Sequence, residues 1–108
     1  MDEKLLKIIN TYGLMNQLKY FQSEVFELNE AIITGELLDL DNQAINHIAE
    51  EIADVTVMLL QFKEYYHING NDILKIMNSK IDRQIERIKR ENDMKLLEEA
   101  MKKLNSND

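Results

Sequence analysis

The stretch that decides the fold covers residues 45–62 and reads INHIAEEIADVTVMLLQF. Its apolar side chains recur at intervals of three or four residues, which is the spacing of one face of an α-helix. From Ile52 onward the stretch is apolar nearly all round its axis, and such a helix belongs at the centre of a bundle or in a subunit interface. Asp41 or Asn42 provides a good N-cap, so the predicted helix runs from there to about Tyr66.

The chain before this stretch predicts two more helices. A short helical pattern ends at Gly13, and a long one occupies residues 14–34 before Gly35. Glycine suits both breaks because it readily adopts the positive φ that helix ends often need. The apolar face of the long helix consists of Leu14, Leu18, Phe21, Val25, Leu28 and Ile32.

The chain after this stretch predicts the remaining helices. Asn71 or Asp72 can cap a helix that follows the turn-like run around Gly70. Asn92 and Asp93 predict a break, after which a final helix and a frayed tail at residues 105–108 complete the chain. The inward positions of the first of these helices are Ile73, Met77, Ile81, Ile85 and Ile88, and the final helix presents a heptad-like seam of Met94, Leu97, Met101 and Leu104.

The composition agrees with one all-α domain. The chain has 108 residues, no proline and only three glycines, which suits long helices and does not suit a turn-rich β fold. The absence of cysteine excludes disulfide frameworks and thiolate chemistry, and His47 and His67 form no recognisable zinc spacing. We therefore predict an all-α bundle of about four helices that homo-oligomerisation completes. Residues 1–92 would form the helical domain, with 93–108 as its C-terminal helix and tail.

The charge and the hydropathy pattern limit the classes of partner that the protein is expected to bind. A net charge of −7 argues against broad binding to nucleic acid or to an anionic membrane. The N-terminal run MDEKLLKII carries charge where a signal peptide needs a longer apolar region. The longest uncharged apolar run, residues 55–62, is far too short to cross a bilayer. We expect a cytoplasmic protein with neither a nucleic-acid polymer nor a membrane as partner.

Two pairs of acidic residues are the candidate metal ligands. Glu24 and Glu27 on one helix, and Glu51 and Asp54 on the next, are spaced three apart and so share a helix side. Glu51 projects into an apolar stripe, where an ionised carboxylate is costly unless something compensates it. Mg²⁺ prefers oxygen ligands, so we predict that the four carboxylates bind Mg²⁺. Alternatively, the first pair is solvated and Glu51 pairs with a lysine.

Four further residues are candidates for contact with a substrate. Lys80 falls among apolar residues with Arg83 beside it, and this pair could reach the carboxylates or a bound phosphate. The alternative for Lys80 is a stem that covers the edge of the core. Gln17 and Tyr20 share the face of Glu24 and could contact a nucleobase, although polar residues beside an apolar stripe are usually just its boundary.

A family resemblance follows from these residues. Residues 21–32, FQSEVFELNEAI, and residues 47–55, HIAEEIADV, resemble the MazG-like all-α nucleoside triphosphate pyrophosphohydrolases. That family carries ExxE on one helix and ExxD on the next, which match the four carboxylates named above. The segment from Lys80 to Arg83 resembles the family's basic K-x-x-R segment, and the resemblance covers residues 12–90.

The resemblance implies an activity and a set of roles. The activity is Mg²⁺-dependent hydrolysis of a nucleoside triphosphate to its monophosphate and pyrophosphate, by a homodimer or homotetramer. The metal-ligating and catalytic residues would be Glu24, Glu27, Glu51 and Asp54, and the phosphate-binding residues would be Lys80 and Arg83. A dUTP- or dCTP-directed enzyme is a narrower form of this function. The alternative from a different class is a non-catalytic helical dimerisation module.

Overall fold

The computed structural model describes residues 2–106, which are almost entirely α-helical. The described helices are α1 (Asp2–Tyr12), α2 (Leu14–Leu37), α3 (Asn42–Tyr65) and α4 (Gly70–Ser106). No strand occurs within residues 2–106, so the predicted all-α class is confirmed. No helix in this range is both long and apolar enough to cross a membrane.

Two short-range features set the helix boundaries of the first half. Gly13 has a φ of +89°, a left-handed value that glycine adopts without strain, and this one residue separates α1 from α2. The side chain of Asp41 accepts a hydrogen bond from the backbone nitrogen of Ala44 at 2.9 Å and so caps α3. These two predicted boundaries are confirmed.

Gly35 has a different role from the predicted helix end, because α2 continues through it to Leu37. A Cβ atom at Gly35 would lie 3.1 Å from Leu40 Cδ1 and 3.5 Å from Ile48 Cδ1. The glycine therefore lets the end of α2 lie close to α3 and to the loop that precedes it.

The first three helices pack against one another and form a compact unit that ends at Ile68. Its buried apolar side chains are Leu5, Ile9, Ala31 and Met58. Phe21 of α2 and Phe62 of α3 meet edge to face, with ring centroids 5.5 Å apart. This packing fixes α2 beside α3 and so sets the relative positions of their acidic residues.

A second unit begins at Asn69 and contains α4, which is one continuous helix. The predicted break at Asn92 and Asp93 is wrong. Each of these residues costs at most about 0.7 kcal/mol of helix propensity, and neither a proline nor a glycine interrupts this part of the chain. No residue of α4 is buried, and the positions predicted to face inward are exposed, except for the half-buried Ile73. The predicted fraying concerns residues 105–108, of which 107 and 108 lie outside the described residues.

Candidate metal centre

Three carboxylates from two helices meet in the first unit. Glu24 of α2 and Glu51 and Asp54 of α3 each offer an oxygen, and these oxygens all lie within 4.8 Å of one another. Asp54 follows Glu51 by three residues, so both side chains leave the same side of α3 and face α2. These three residues are called the carboxylate cluster below.

The cluster contains two buried oxygens without hydrogen-bond partners. Glu24 is only 5% exposed and Glu51 only 9%, whereas Asp54 is exposed. The Oε2 atoms of Glu24 and Glu51 are both buried and accept no hydrogen bond. An unpartnered buried acceptor is destabilising, and more so when it is charged. A divalent cation that prefers oxygen ligands would offset the charge of these converging carboxylates, so the residues present fit Mg²⁺.

The electrostatics of Glu24 reflect this environment. Burial raises the pKa of its carboxyl, a hydrogen bond with Tyr20 opposes that rise, and repulsion from Glu27, Asp54 and Glu51 adds to it. The pKa of Tyr20 is itself raised, chiefly by its hydrogen bond with Glu24 and by the charge of that carboxylate. The two side chains therefore lie close enough for each to change the pKa of the other.

A cavity of about 600 Å³ opens beside Glu24 and Asp54. We call it the first cavity. Its other lining residues, from α1, α2 and α3, are Ile8, Tyr12, Asn16, Gln17, Tyr20, Val57, Met58 and Gln61. The buried Gln17 donates from Nε2 to Oε1 of the buried Gln61 at 2.8 Å, which fixes both amides in the wall. Gln17 and Tyr20, the predicted nucleobase contacts, thus line the same space beside the cluster.

Gln61 is a cavity residue that the sequence analysis did not identify. The sequence contains one indication of its role, because Gln61 is an amide within the apolar run of residues 55–62, on a helix that is expected to be buried. Such a side chain needs a hydrogen-bond partner when it is buried, and Gln17 is that partner.

Glu27 is exposed and does not join the cluster. A step of three residues along a helix turns by about 300°, so Glu27 is rotated about 60° from Glu24. It lines a second cavity of about 580 Å³ between α2 and α3, together with His47 and Glu51. Glu27 therefore stays a predicted ligand, and it lines the second cavity whereas Tyr20 lines the first.

The basic candidates lie elsewhere in the chain. Lys80 and Arg83 belong to α4 in the second unit, and both are exposed. Within residues 2–106, Lys63 forms an ion pair with Glu64, and the imidazole of His47 lies 4.0 Å from the carboxylates of Glu50 and Glu51. No lysine described within the first unit pairs with Glu51.

The family models, the curated proteins and the solved structures contain no match to this chain. The resemblance described above therefore stays a prediction, and the candidate site depends on the carboxylate geometry.

Proposed function

We propose that this protein hydrolyses nucleoside triphosphates to a monophosphate and pyrophosphate, with Mg²⁺ held by the carboxylate cluster. The observation that carries the proposal is the carboxylate cluster itself: Glu24, Glu51 and Asp54 each offer an oxygen within 4.8 Å of the others, and Glu24 and Glu51 each also contain a buried oxygen without a hydrogen-bond partner. Such an arrangement destabilises the chain unless a cation offsets it, and sites of this kind are often functional. The ExxE and ExxD resemblance supports the same assignment.

The residues of the cluster would have different roles in the hydrolysis. Bound Mg²⁺ would neutralise the polyphosphate and lower the pKa of an attacking water. Glu24, Glu51 and Asp54 would hold the cation, and Glu27, which lines the second cavity, would be the fourth ligand. A carboxylate oxygen that the cation leaves free accepts the proton of the water.

The first cavity is the proposed site of the nucleoside. Its volume of about 600 Å³ lies within the usual range for ligand pockets, about 300–1,000 Å³. Tyr12 and Tyr20 are well exposed and offer rings on which a base can stack. Asn16 and Gln17 offer amides for the edges of the base, and Gln61 holds Gln17 in position. Nothing in these groups selects one base, so dUTP, dCTP and broader substrates belong to the same proposal.

Lys80 and Arg83 are the proposed ligands of the substrate phosphates. They lie three residues apart on α4 and so share one side of that helix. Both side chains are exposed and so free to meet an anion.

A homodimer or homotetramer in the cytoplasm completes the proposal. One face of α3 carries three apolar side chains that are about half exposed in the single chain, which is typical of a surface that another copy covers. These residues are Ile45, Ile52 and Leu59.

The same exposed face favours one alternative, a helical interaction module without catalysis. In that case the acidic residues would serve only as a charged surface. The two functions differ in their products, because an interaction module releases nothing from a nucleotide.

Phosphorus NMR of a panel of ribo- and deoxyribonucleoside triphosphates separates them. With Mg²⁺, the proposal predicts a monophosphate and pyrophosphate from at least one member of the panel, and no reaction after addition of EDTA. Asp54→Asn should lose this activity, whereas Glu36→Gln should keep it, because Glu36 is exposed near the end of α2 and lines neither cavity. The proposal would be contradicted if the products were a nucleoside diphosphate and orthophosphate. It would also be contradicted if no triphosphate of the panel reacted.

A further inference from the structure

Four basic residues form a line along one side of α4. Lys80, Arg83, Arg87 and Arg90 follow one another at steps of three, four and three residues. At about 100° per residue, these positions fall within a sector of about 80° on the helix surface, and they extend over about 15 Å along its axis. We call these four residues the basic line. It contains all three arginines of the chain.

The basic line is not neutralised by the residues around it. All four side chains are exposed, and within residues 2–106 none of them lies within 4.0 Å of a carboxylate. Asp82 and Glu86, the acidic residues between Lys80 and Arg90, project outside the sector that the basic line occupies. Like charges three or four positions apart repel each other and destabilise a helix, so an anion that binds along the line would relieve this repulsion.

The charge of the chain is divided unevenly between its two units. Residues 1–68 contain four basic and twelve acidic residues, whereas residues 69–108 contain nine basic and eight acidic residues. The net charge of −7 therefore comes from the first unit. Along the basic line, α4 presents a local excess of positive charge although the whole chain is acidic, and such an excess attracts anions.

The side chains of the basic line are suited to phosphate. The planar guanidinium of arginine forms paired hydrogen bonds with phosphate oxygens, and the ammonium of lysine binds phosphate as a point charge. Residues 70–106 contain no aromatic side chain on which a nucleobase could stack, and proteins that bind single-stranded nucleic acid usually provide such side chains. The chemistry of α4 therefore favours a ligand that is recognised by its phosphates alone.

A nucleoside triphosphate does not account for the whole basic line. Lys80 and Arg83 are already the proposed ligands of its phosphates, and Mg²⁺ neutralises part of the charge of a bound polyphosphate. Arg87 and Arg90 extend the same side of α4 by about 10 Å beyond Arg83. A longer chain of phosphates can follow a line of this length and contact all four cations.

We propose that the basic line binds a linear chain of phosphate groups that is longer than a triphosphate. Such a chain occurs as free inorganic polyphosphate or within a nucleotide that carries more than three phosphates, and both forms present the same oxygens to α4. The inference rests on the proposed function only in that both use Lys80 and Arg83. Binding to the basic line needs no metal, so it can be measured separately from hydrolysis.

Calorimetry of the untagged full chain in metal-free buffer tests the proposal. Tripolyphosphate and a longer inorganic polyphosphate are titrated in turn, and the longer chain should bind more tightly. The double variant Arg87→Gln, Arg90→Gln should bind the longer chain at least about tenfold more weakly, the loss expected when hydrogen bonds to charged groups are removed. Lys89→Gln is the matched control and should bind like the wild type, because Lys89 is exposed in the same stretch of α4 but projects about 180° away from Lys80.

The salt dependence separates phosphate contacts from a change in fold. Because phosphate binding releases counterions, log K for the longer chain should fall linearly with log salt, and the double variant should reduce this slope by about 1 for each lost contact. All substituted positions are exposed, so each variant should keep the helical circular dichroism of the wild type.

The same assay identifies the source of the phosphate chain. Adenosine tetraphosphate is compared with inorganic tetraphosphate, which lacks the nucleoside. Tighter binding of the adenosine compound would support the proposal with a nucleotide as the ligand, and equal binding would support it with free polyphosphate as the ligand.

The proposal is overturned if the longer chain binds no more tightly than tripolyphosphate, if the double variant binds it like the wild type, or if Lys89→Gln weakens binding as much. It is also overturned if a single-stranded oligonucleotide of equal charge binds more tightly than polyphosphate. Polyphosphate binding without hydrolysis of any triphosphate would contradict the proposed function alone. Hydrolysis without binding that depends on chain length would contradict this inference alone.

Discussion

Replacing Glu24 with glutamine should stabilise the metal-free protein and remove its response to Mg²⁺. Glu24 is 5% exposed, its Oε2 has no partner, and burial together with neighbouring carboxylates raises its pKa. Glutamine has nearly the same shape and no charge. It removes the repulsion from Glu51 and Asp54, and its amide can donate a hydrogen bond to one of them.

The expected sizes follow from the burial of this carboxylate. A buried acceptor without a partner costs about 1–3 kcal/mol, so the metal-free variant should gain about that amount. For a domain of this size the melting temperature then rises by about 4–8 °C per kcal/mol. Mg²⁺ at 100 times its Kd should stabilise the wild type by about 2.7 kcal/mol through mass action. The variant has lost a metal ligand, so Mg²⁺ should stabilise it far less. The stability advantage that the variant has without metal should therefore disappear or reverse when Mg²⁺ is added.

Thermal unfolding followed by circular dichroism, with and without Mg²⁺, measures both effects. Glu36→Gln is the control, since it makes the same change at an exposed position of α2 and should follow the wild type in both conditions. The reasoning is refuted if Glu24→Gln melts at a lower temperature than the wild type without metal and if Mg²⁺ stabilises the variant as much as it stabilises the wild type.

Three other predictions concern the substrate, the pH dependence and the assembly. Lys80→Ala should raise KM or lower kcat for the triphosphate with little loss of melting temperature, since the side chain is exposed; early melting with normal nucleotide binding would contradict this. The folded state binds the carboxyl proton of Glu24 more tightly than the unfolded state, because the pKa of Glu24 is raised above its ordinary value of 4.5 on folding. In metal-free protein, the free energy of unfolding should therefore fall as the pH rises from below 4.5 through the raised pKa. Glu24→Gln should lack that fall in urea titrations across pH. Sedimentation at micromolar concentration should show a homodimer or a larger assembly, and a stable, active monomer would count against it.

The helix boundaries could be predicted where local chemistry decides them. Gly13 and Asp41 act through their own backbone conformation and side chain, which the sequence displays. Asn92 and Asp93 are weak helix formers, but their small cost is outweighed by strong helix formers on either side, such as Glu91 and Met94. A break there would need a proline, a glycine or a competing tertiary contact.

The site could be predicted in part. Glu51 stood out because a carboxylate within an apolar stripe needs a compensating partner, and this property is local to one helix. Glu27 and Glu24 look equivalent by spacing, yet the packing of α3 on α2 brings only Glu24 into the cluster, while Glu27 lines the second cavity. The pairing of Gln17 with Gln61 joins residues 44 positions apart, so only the packing of α2 on α3 reveals it.

The most direct test of the carboxylate cluster is the rate of pyrophosphate release by Glu51→Gln. This substitution removes a charged ligand from the centre of the cluster and keeps its shape and helix. With Mg²⁺ and the best triphosphate of the panel, we expect the rate to fall at least about a hundredfold, while Glu36→Gln keeps the wild-type rate and both variants keep the wild-type circular dichroism. A wild-type rate in Glu51→Gln would contradict the assignment of this cluster as the catalytic metal centre.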